Sequence, residues 1–216
     1  MKRWKVQRGR LLEWAMLGGL LLAVAVSGWF AGFAEDCSQL QQNTLRLHIQ
    51  ANSDQPQDQA LKLLVRDAVL SHTQALFAGA SSQQQAVELA RQNLDSIQQV
   101  ARQTLDQAGC SLPVQVSVTN MHFSTTVYPA FSLPAGQYDA LRIRIGRAEG
   151  HNWFCVLYPG LCVPGAQNNQ YPTSREQQLV EQSSRYEIRF AALELAQSIT
   201  RRTPLKTARS LADGSQ

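Results

Sequence analysis

Four cysteines and four histidines are the side chains of this chain best suited to redox, metal or nucleophilic chemistry. Six residues separate Cys155 from Cys162, where a thioredoxin-type motif would have two, so a working redox pair is not indicated. His48, His72, His122 and His151 are scattered, without the H-E-x-x-H spacing of a helical zinc site. His48 and His122 could meet across strands on a polar sheet face, with Asp54 as a third ligand. That arrangement carries the rival reading, an extracytoplasmic and metal-dependent hydrolase. No G-x-S-x-G elbow, phosphate loop or dinucleotide fingerprint is present. We therefore assign no catalytic residue, no metal ligand and no cofactor, and expect no small-molecule substrate.

The remaining functional signal is apolar. Asn152–Cys162 reads NWFCVLYPGLC, an aromatic and aliphatic run in which Pro159-Gly160 should force a turn. Such a composition suits a binding hot spot, and Trp153, Phe154, Val156, Leu157, Tyr158, Pro159 and Leu161 are candidate partner contacts. A second candidate surface is the outward face of a sheet, where Arg46, His48, Arg142 and Arg144 would gather.

The compartment follows from the N-terminus. Lys2, Arg3, Lys5, Arg8 and Arg10 precede an uncharged apolar stretch from about Ala15 to Ala34, an export signal or membrane anchor. Gly32-Phe33-Ala34 offers a cleavage site; uncleaved, the basic end stays cytoplasmic and Glu35 onward lies outside. Beyond residue 34 the chain keeps 15 basic and 15 acidic residues. The pI near 9.0 thus belongs to the signal, and nucleic acid is not an expected partner. All four cysteines follow the signal, which favours disulfides. The Pro-Gly turn favours Cys155–Cys162, leaving Cys37–Cys110 by elimination, with reduced buried thiols as the alternative. A bridge closing so short a loop would contribute roughly 2–3 kcal/mol.

The elements that must position these residues alternate in period. Leu45, Leu47 and Ile49 alternate with Arg46, His48 and Gln50 in a half-buried strand over 44–51. Asn52-Ser53-Asp54-Gln55-Pro56 provides helix-start chemistry, with Ser or Asp as the cap and Asp58 in the first turn. The helix over 56–78 carries Leu61, Leu64, Val65, Ala68 and Val69 on one stripe, with Asp58 and Lys62 able to pair opposite it. A second helix runs over 82–107 and ends at Gly109. A strand over 113–127 places Val114, Val116 and Val118 on one face and Met121 and Phe123 on the other parity, which a bulge near Asn120 would reconcile. A third strand covers 138–146, and a last helix, about Arg175–Arg201, carries Ile188, Ala191, Ala192, Leu195 and Ile199. The order β-α-α-β-β-α gives an α+β fold, a small, mainly antiparallel sheet packed on helices. Residues 1–34 form the signal or anchor, 35–200 one extracytoplasmic domain, and 201–216 a flexible tail.

Three blocks together resemble a known family: LRLHIQANSDQPQDQALKLLVRDAVL (45–70), FSTTVYPAFSLPAGQYDALRIRIGRAEGHNWFCVLYPGLC (123–162) and, more weakly, RYEIRFAALEL (185–195). The order and composition are similar to the stage II sporulation protein R family of endospore-forming Firmicutes. The resemblance implies an exported, non-enzymatic signal made in the forespore. It would cross into the intermembrane space and activate a membrane-embedded aspartic protease of the mother cell, which then processes the sigma-E precursor. Two positions depart from the family pattern, Trp153-Phe154 for two tryptophans and Pro159-Gly160 for two prolines; both keep an aromatic and a turn.

Overall fold

The computed structural model describes residues 2–128 and 131–161, together with Arg175, Glu176, Gln178, Phe190 and Glu194. Two compact units divide between Gln39 and Leu40. The first is most of a single helix, α1 (Lys2–Gln42). Its Glu13–Gln42 portion, with a mean hydropathy of 1.8, is long and apolar enough to cross a membrane. Trp14, Leu17, Leu21, Val24 and Trp29 are all more than half exposed, as an export or membrane segment requires. The helix runs past Ala34, where the apolar composition ends, without a break.

The second unit is built on a four-stranded sheet. Its strands are β1 (Leu45–Gln50), β2 (Val114–Phe123), β5 (Gly136–Ile145) and β6 (Asn152–Tyr158). They lie in the order β2-β5-β1-β6, with β1 parallel to β5 and both outer pairs antiparallel. Three helices, α2 (Pro56–Phe77), α3 (Gln83–Gln92) and α4 (Leu94–Gln107), cover one face. There Leu45, Leu47, Ile49, Leu141, Ile143, Ile145 and Val114 meet Val65, Val69, Ala90, Ile97, Ala101 and Leu105 in one core. The α+β class read from periodicity is the observed one.

Local chemistry sets the helix ends. Gly109, with φ +73°, closes α4. Cys110 N–H donates to the Leu105 carbonyl at 2.9 Å and Gly109 N–H to that of Asp106 at 3.0 Å, a Schellman pair. The long helix expected over 82–107 is two helices, because the Asn93 amide donates to the Leu89 carbonyl at 2.8 Å and draws the backbone out of helical geometry. On α2 the buried stripe is Val65, Val69, Thr73 and Phe77; Leu64, expected inside, is exposed.

The opposite sheet face also carries a core, which alternation did not anticipate. β2 pairs with β5 in unbroken register from Val114 to Phe123, so there is no bulge near Asn120. Met121 and Phe123 instead join Tyr138, Ala140 and Phe154 on that face. A small hairpin, β3 (Thr126–Val127) with β4 (Ser132–Leu133), adds a second apolar group of Leu40, Phe131, Leu133 and Val156.

The cysteines require a correction. Cys37 and Cys110 are free thiols. The Cys37–Cys110 bridge expected by elimination is not formed. The expected helix over 175–201 and the tail lie largely outside the described residues, as does Cys162.

Candidate functional site

NWFCVLYPGLC is not an exposed turn. Asn152–Tyr158 forms the edge strand β6, paired to β1, and the turn begins only after the strand, at the cis Tyr158–Pro159 bond. A register shift between Leu45 and Arg46 skips Leu157, so Cys155, Leu157 and Tyr158 all reach the helix-side core while Val156 faces away. Of the candidate contacts, Val156, Leu157, Tyr158 and Pro159 are buried. Trp153, Phe154 and Leu161 keep part of their surface, and the Trp153 ring lies under the Arg66 guanidinium at 5.2 Å.

The polar face is likewise not fully open. Arg46 and His48 share a face because alternate residues of a strand do, but the β3–β4 hairpin and the aromatics of β2 and β6 lie over them. Arg46 is fully buried. Its Nη2 donates to Thr126 Oγ1 at 3.0 Å and to Tyr128 Oη at 2.9 Å. Its guanidinium lies 3.9 Å from the Phe123 ring and 5.0 Å from that of Tyr138. Nε and Nη1 have no hydrogen-bond partner among the described residues. Burial also pushes the Tyr128 phenol above its ordinary pKa, against the opposing pull of Arg46.

His48 stacks on Phe154 at 5.2 Å, and its Nε2 shares a 2.8 Å hydrogen bond with Asn152 Oδ1. Burial holds its pKa below the usual histidine value; Asn152 opposes this, while Arg142 and Arg46 reinforce it. Next in the row, Arg142 and Arg144 are half-buried, and Arg142 reaches Gln50 Oε1 at 3.4 Å. The four candidates of this face therefore do come together, Arg46 and His48 in the interior and Arg142 and Arg144 at its half-buried edge.

The hydrolase reading loses its geometry. With β2 in unbroken register, His122 shares the parity of Val114, Val116 and Val118, the helix side, whereas His48 is on the opposite side. Asp54 is engaged elsewhere: it accepts from the backbone N–H of His151 at 2.6 Å and pairs with that residue's imidazole. Among the described residues no group of three His, Cys, Asp or Glu side chains is placed to hold a metal ion.

What the sequence reading missed is the role of Asn52–Pro56. It is a clasp between the β1–α2 and β5–β6 connections. Asn52 Nδ2 and Ser53 Oγ both donate to Asp58 Oδ2, at 2.8 and 2.5 Å. These bonds, the Ser53 hydroxyl first, hold the Asp58 carboxyl below the ordinary range. The helix cap itself is Gln55, with no side-chain cap bond. Across the gap, Arg147 N–H donates to Asn52 Oδ1 at 3.0 Å, Glu149 N–H to the Asn52 carbonyl at 3.1 Å, and Gly150 N–H to the Ala51 carbonyl at 3.0 Å. Lys62 does not pair with Asp58; its Nζ donates to Gln59 Oε1 at 2.6 Å and to the His151 carbonyl at 3.0 Å. A Cβ on Gly150 would lie 2.2 Å from the Ser53 carbonyl oxygen, so only glycine fits there. Gly146 and Gly150, four apart after an alternating strand, were the available signal.

The comparisons with known proteins bear on this architecture directly. The family model "Stage II sporulation protein R" matches residues 41–168, which span β1, the clasp, the whole sheet and the cysteine-framed segment. A curated relative, stage II sporulation protein R of Bacillus subtilis (strain 168), is 32% identical over 166 residues, covering 73% of this chain and 74% of the relative. No solved structure matches. The chain belongs to the stage II sporulation protein R family.

Proposed function

We propose that this chain is an exported intercellular signal in endospore formation, acting by binding rather than catalysis. In this reading it crosses the forespore membrane into the intermembrane space. There it activates a membrane-embedded aspartic protease of the mother cell, and the sigma-E precursor is processed. The observation that carries the reading is the family match over 41–168, supported by an N-terminal helix apolar enough for export or anchoring.

The contact surface comprises Phe154 and Leu161 with Arg142 and Arg144 on the sheet face away from the helices, and Trp153 on the helix side of the same edge strand. Arg46, His48, Val156, Leu157, Tyr158 and Pro159 support it from inside. Cys155 bonds Cys162 and fixes the exit of β6; mass analysis of the exported protein before and after reduction checks this, and two freely alkylated thiols there would remove the bridge.

Expression in a sporulating host lacking its own relative tests the function. Restored processing of the sigma-E precursor is expected; export of a folded chain without processing would overturn the reading. A Trp153→Ala/Phe154→Ala variant that is exported at the wild-type level should process poorly. Normal processing by that variant would remove the surface while leaving the function standing.

A further inference from the structure

An edge strand exposes a row of unpaired backbone groups, and soluble proteins usually blunt such rows with charge, proline or a bulge. β2 is an edge strand, ten residues long, reading VQVSVTNMHF. It carries no charged residue and no proline, and its register against β5 is unbroken. No described strand lies beyond it. The Val116 N–H points away from β5, since it donates to Gln98 Oε1 at 3.3 Å. By antiparallel alternation the N–H and C=O groups of Val118 and Asn120 point the same way. Gln115, Ser117 and Asn120 are exposed, and Val116 and Val118 are half-buried.

We infer that β2 pairs with β2 of a second copy of this chain, antiparallel about a twofold axis at Ser117, joining two sheets into one of eight strands. The sequence of the strand selects this occupant. A twofold at Ser117 sets Val116 opposite Val118 and Val118 opposite Val116, β-branched pairs of the kind that stabilise adjacent strands. Gln115 then faces Thr119, and Val114 faces Asn120. No like charges oppose each other anywhere along the strand. The residues whose N–H and C=O groups point outward fall opposite one another, so the backbone bonds form in the same register as the side-chain pairs. The Gln98 amide has to release the Val116 N–H, and the Thr119 hydroxyl the Asn120 carbonyl that it reaches at 3.4 Å.

Sedimentation of the full-length chain in detergent tests the pairing. A reversible dimer is expected for the wild type. Ser117→Lys puts two ammonium groups opposite each other at the axis and should raise the dimer dissociation constant about fivefold or more; because position 117 also lies opposite Arg142 of β5, the constant is read well below the variant's own unfolding temperature. Mixing it with Ser117→Glu should restore the wild-type constant, because each pair then carries opposite charges. If Ser117→Lys fails to fold, Ser117→Glu alone carries the same expectation. A folded, monomeric wild type would overturn the proposal, as would a dimer indifferent to charge at 117, which would place its contact elsewhere, for example on α1. Failure of the mixed pair to recover would overturn the Ser117 axis and with it the proposal.

Discussion

Arg46 is fully buried, and among the described residues two of its guanidinium nitrogens have no hydrogen-bond partner and no carboxylate forms a salt bridge with it. Three aromatic rings within 6 Å recover part of the lost hydration. Burying an incompletely paired cation is costly, and replacing both members of a buried polar contact by apolar groups of similar shape is often neutral or stabilising. Arg46→Met/Tyr128→Phe should therefore remain within about 1 kcal/mol of the wild type, or above it, in chemical unfolding. Arg46→Ala should lose about 2–5 kcal/mol, since it opens a cavity among Phe123, Tyr138 and Phe154. A double variant as unstable as the alanine one would show that the guanidinium itself stabilises the fold. If Arg46 supports signalling only by holding the surface in place, the folded double variant should also retain activity.

At the level of elements, the clasp predicts an acid sensitivity. The bonds from Ser53 and Asn52 hold the Asp58 carboxyl below its ordinary value of 3.8, and those from His151 hold Asp54 down in the same direction. A carboxylate with a depressed folded pKa contributes stability above its unfolded value and loses it as pH falls through the folded one. Unfolding between pH 7 and pH 3 should thus show a loss that is smaller in Asp58→Asn; equal slopes would place the acid lability elsewhere. Asp58 itself was legible as a first-turn acid, as were the β1 alternation, the α2 start and the Gly109 cap, because each is a local signal. The clasp was not, because its other half lies at Arg147–His151, 95 to 97 positions on. The second core escaped for a related reason. Period 2 separates two faces but does not say what lies over either, so Arg46 and His48 read as solvent-facing when a hairpin and three aromatics cover them. The aromatic run in β6 misled in the opposite sense: its turn follows the strand, and the side chains that seemed to require exposure are mostly core.

For the whole molecule, charge and hydropathy are divided: the N-terminal helix is basic and then apolar, which fits a signal or membrane anchor, and the rest is electrically balanced. Five basic residues precede the apolar part of α1, while the chain after residue 34 has equal numbers of acids and bases. Positive charge flanking a short apolar segment stays on the cytoplasmic side, and that bias orients the segment. Moving the charge should therefore move the domain. Replacing Lys2, Arg3, Lys5, Arg8 and Arg10 by Gln, together with Glu35→Lys and Asp36→Lys, should leave the domain inside, where protease added to intact cells cannot cut it. The wild-type domain should be cut, or be found released in the medium if the helix is cleaved. The same inverted chain, folded but inside, should give no processing across the membrane, whereas a variant altered only at Trp153 and Phe154 should be exported and still fail to signal. Because those two failures differ in protease access, the experiment separates a domain in the wrong compartment from one in the right compartment with a damaged surface. An inverted chain that remained accessible from outside would show that orientation is set by the folded domain and not by the basic segment.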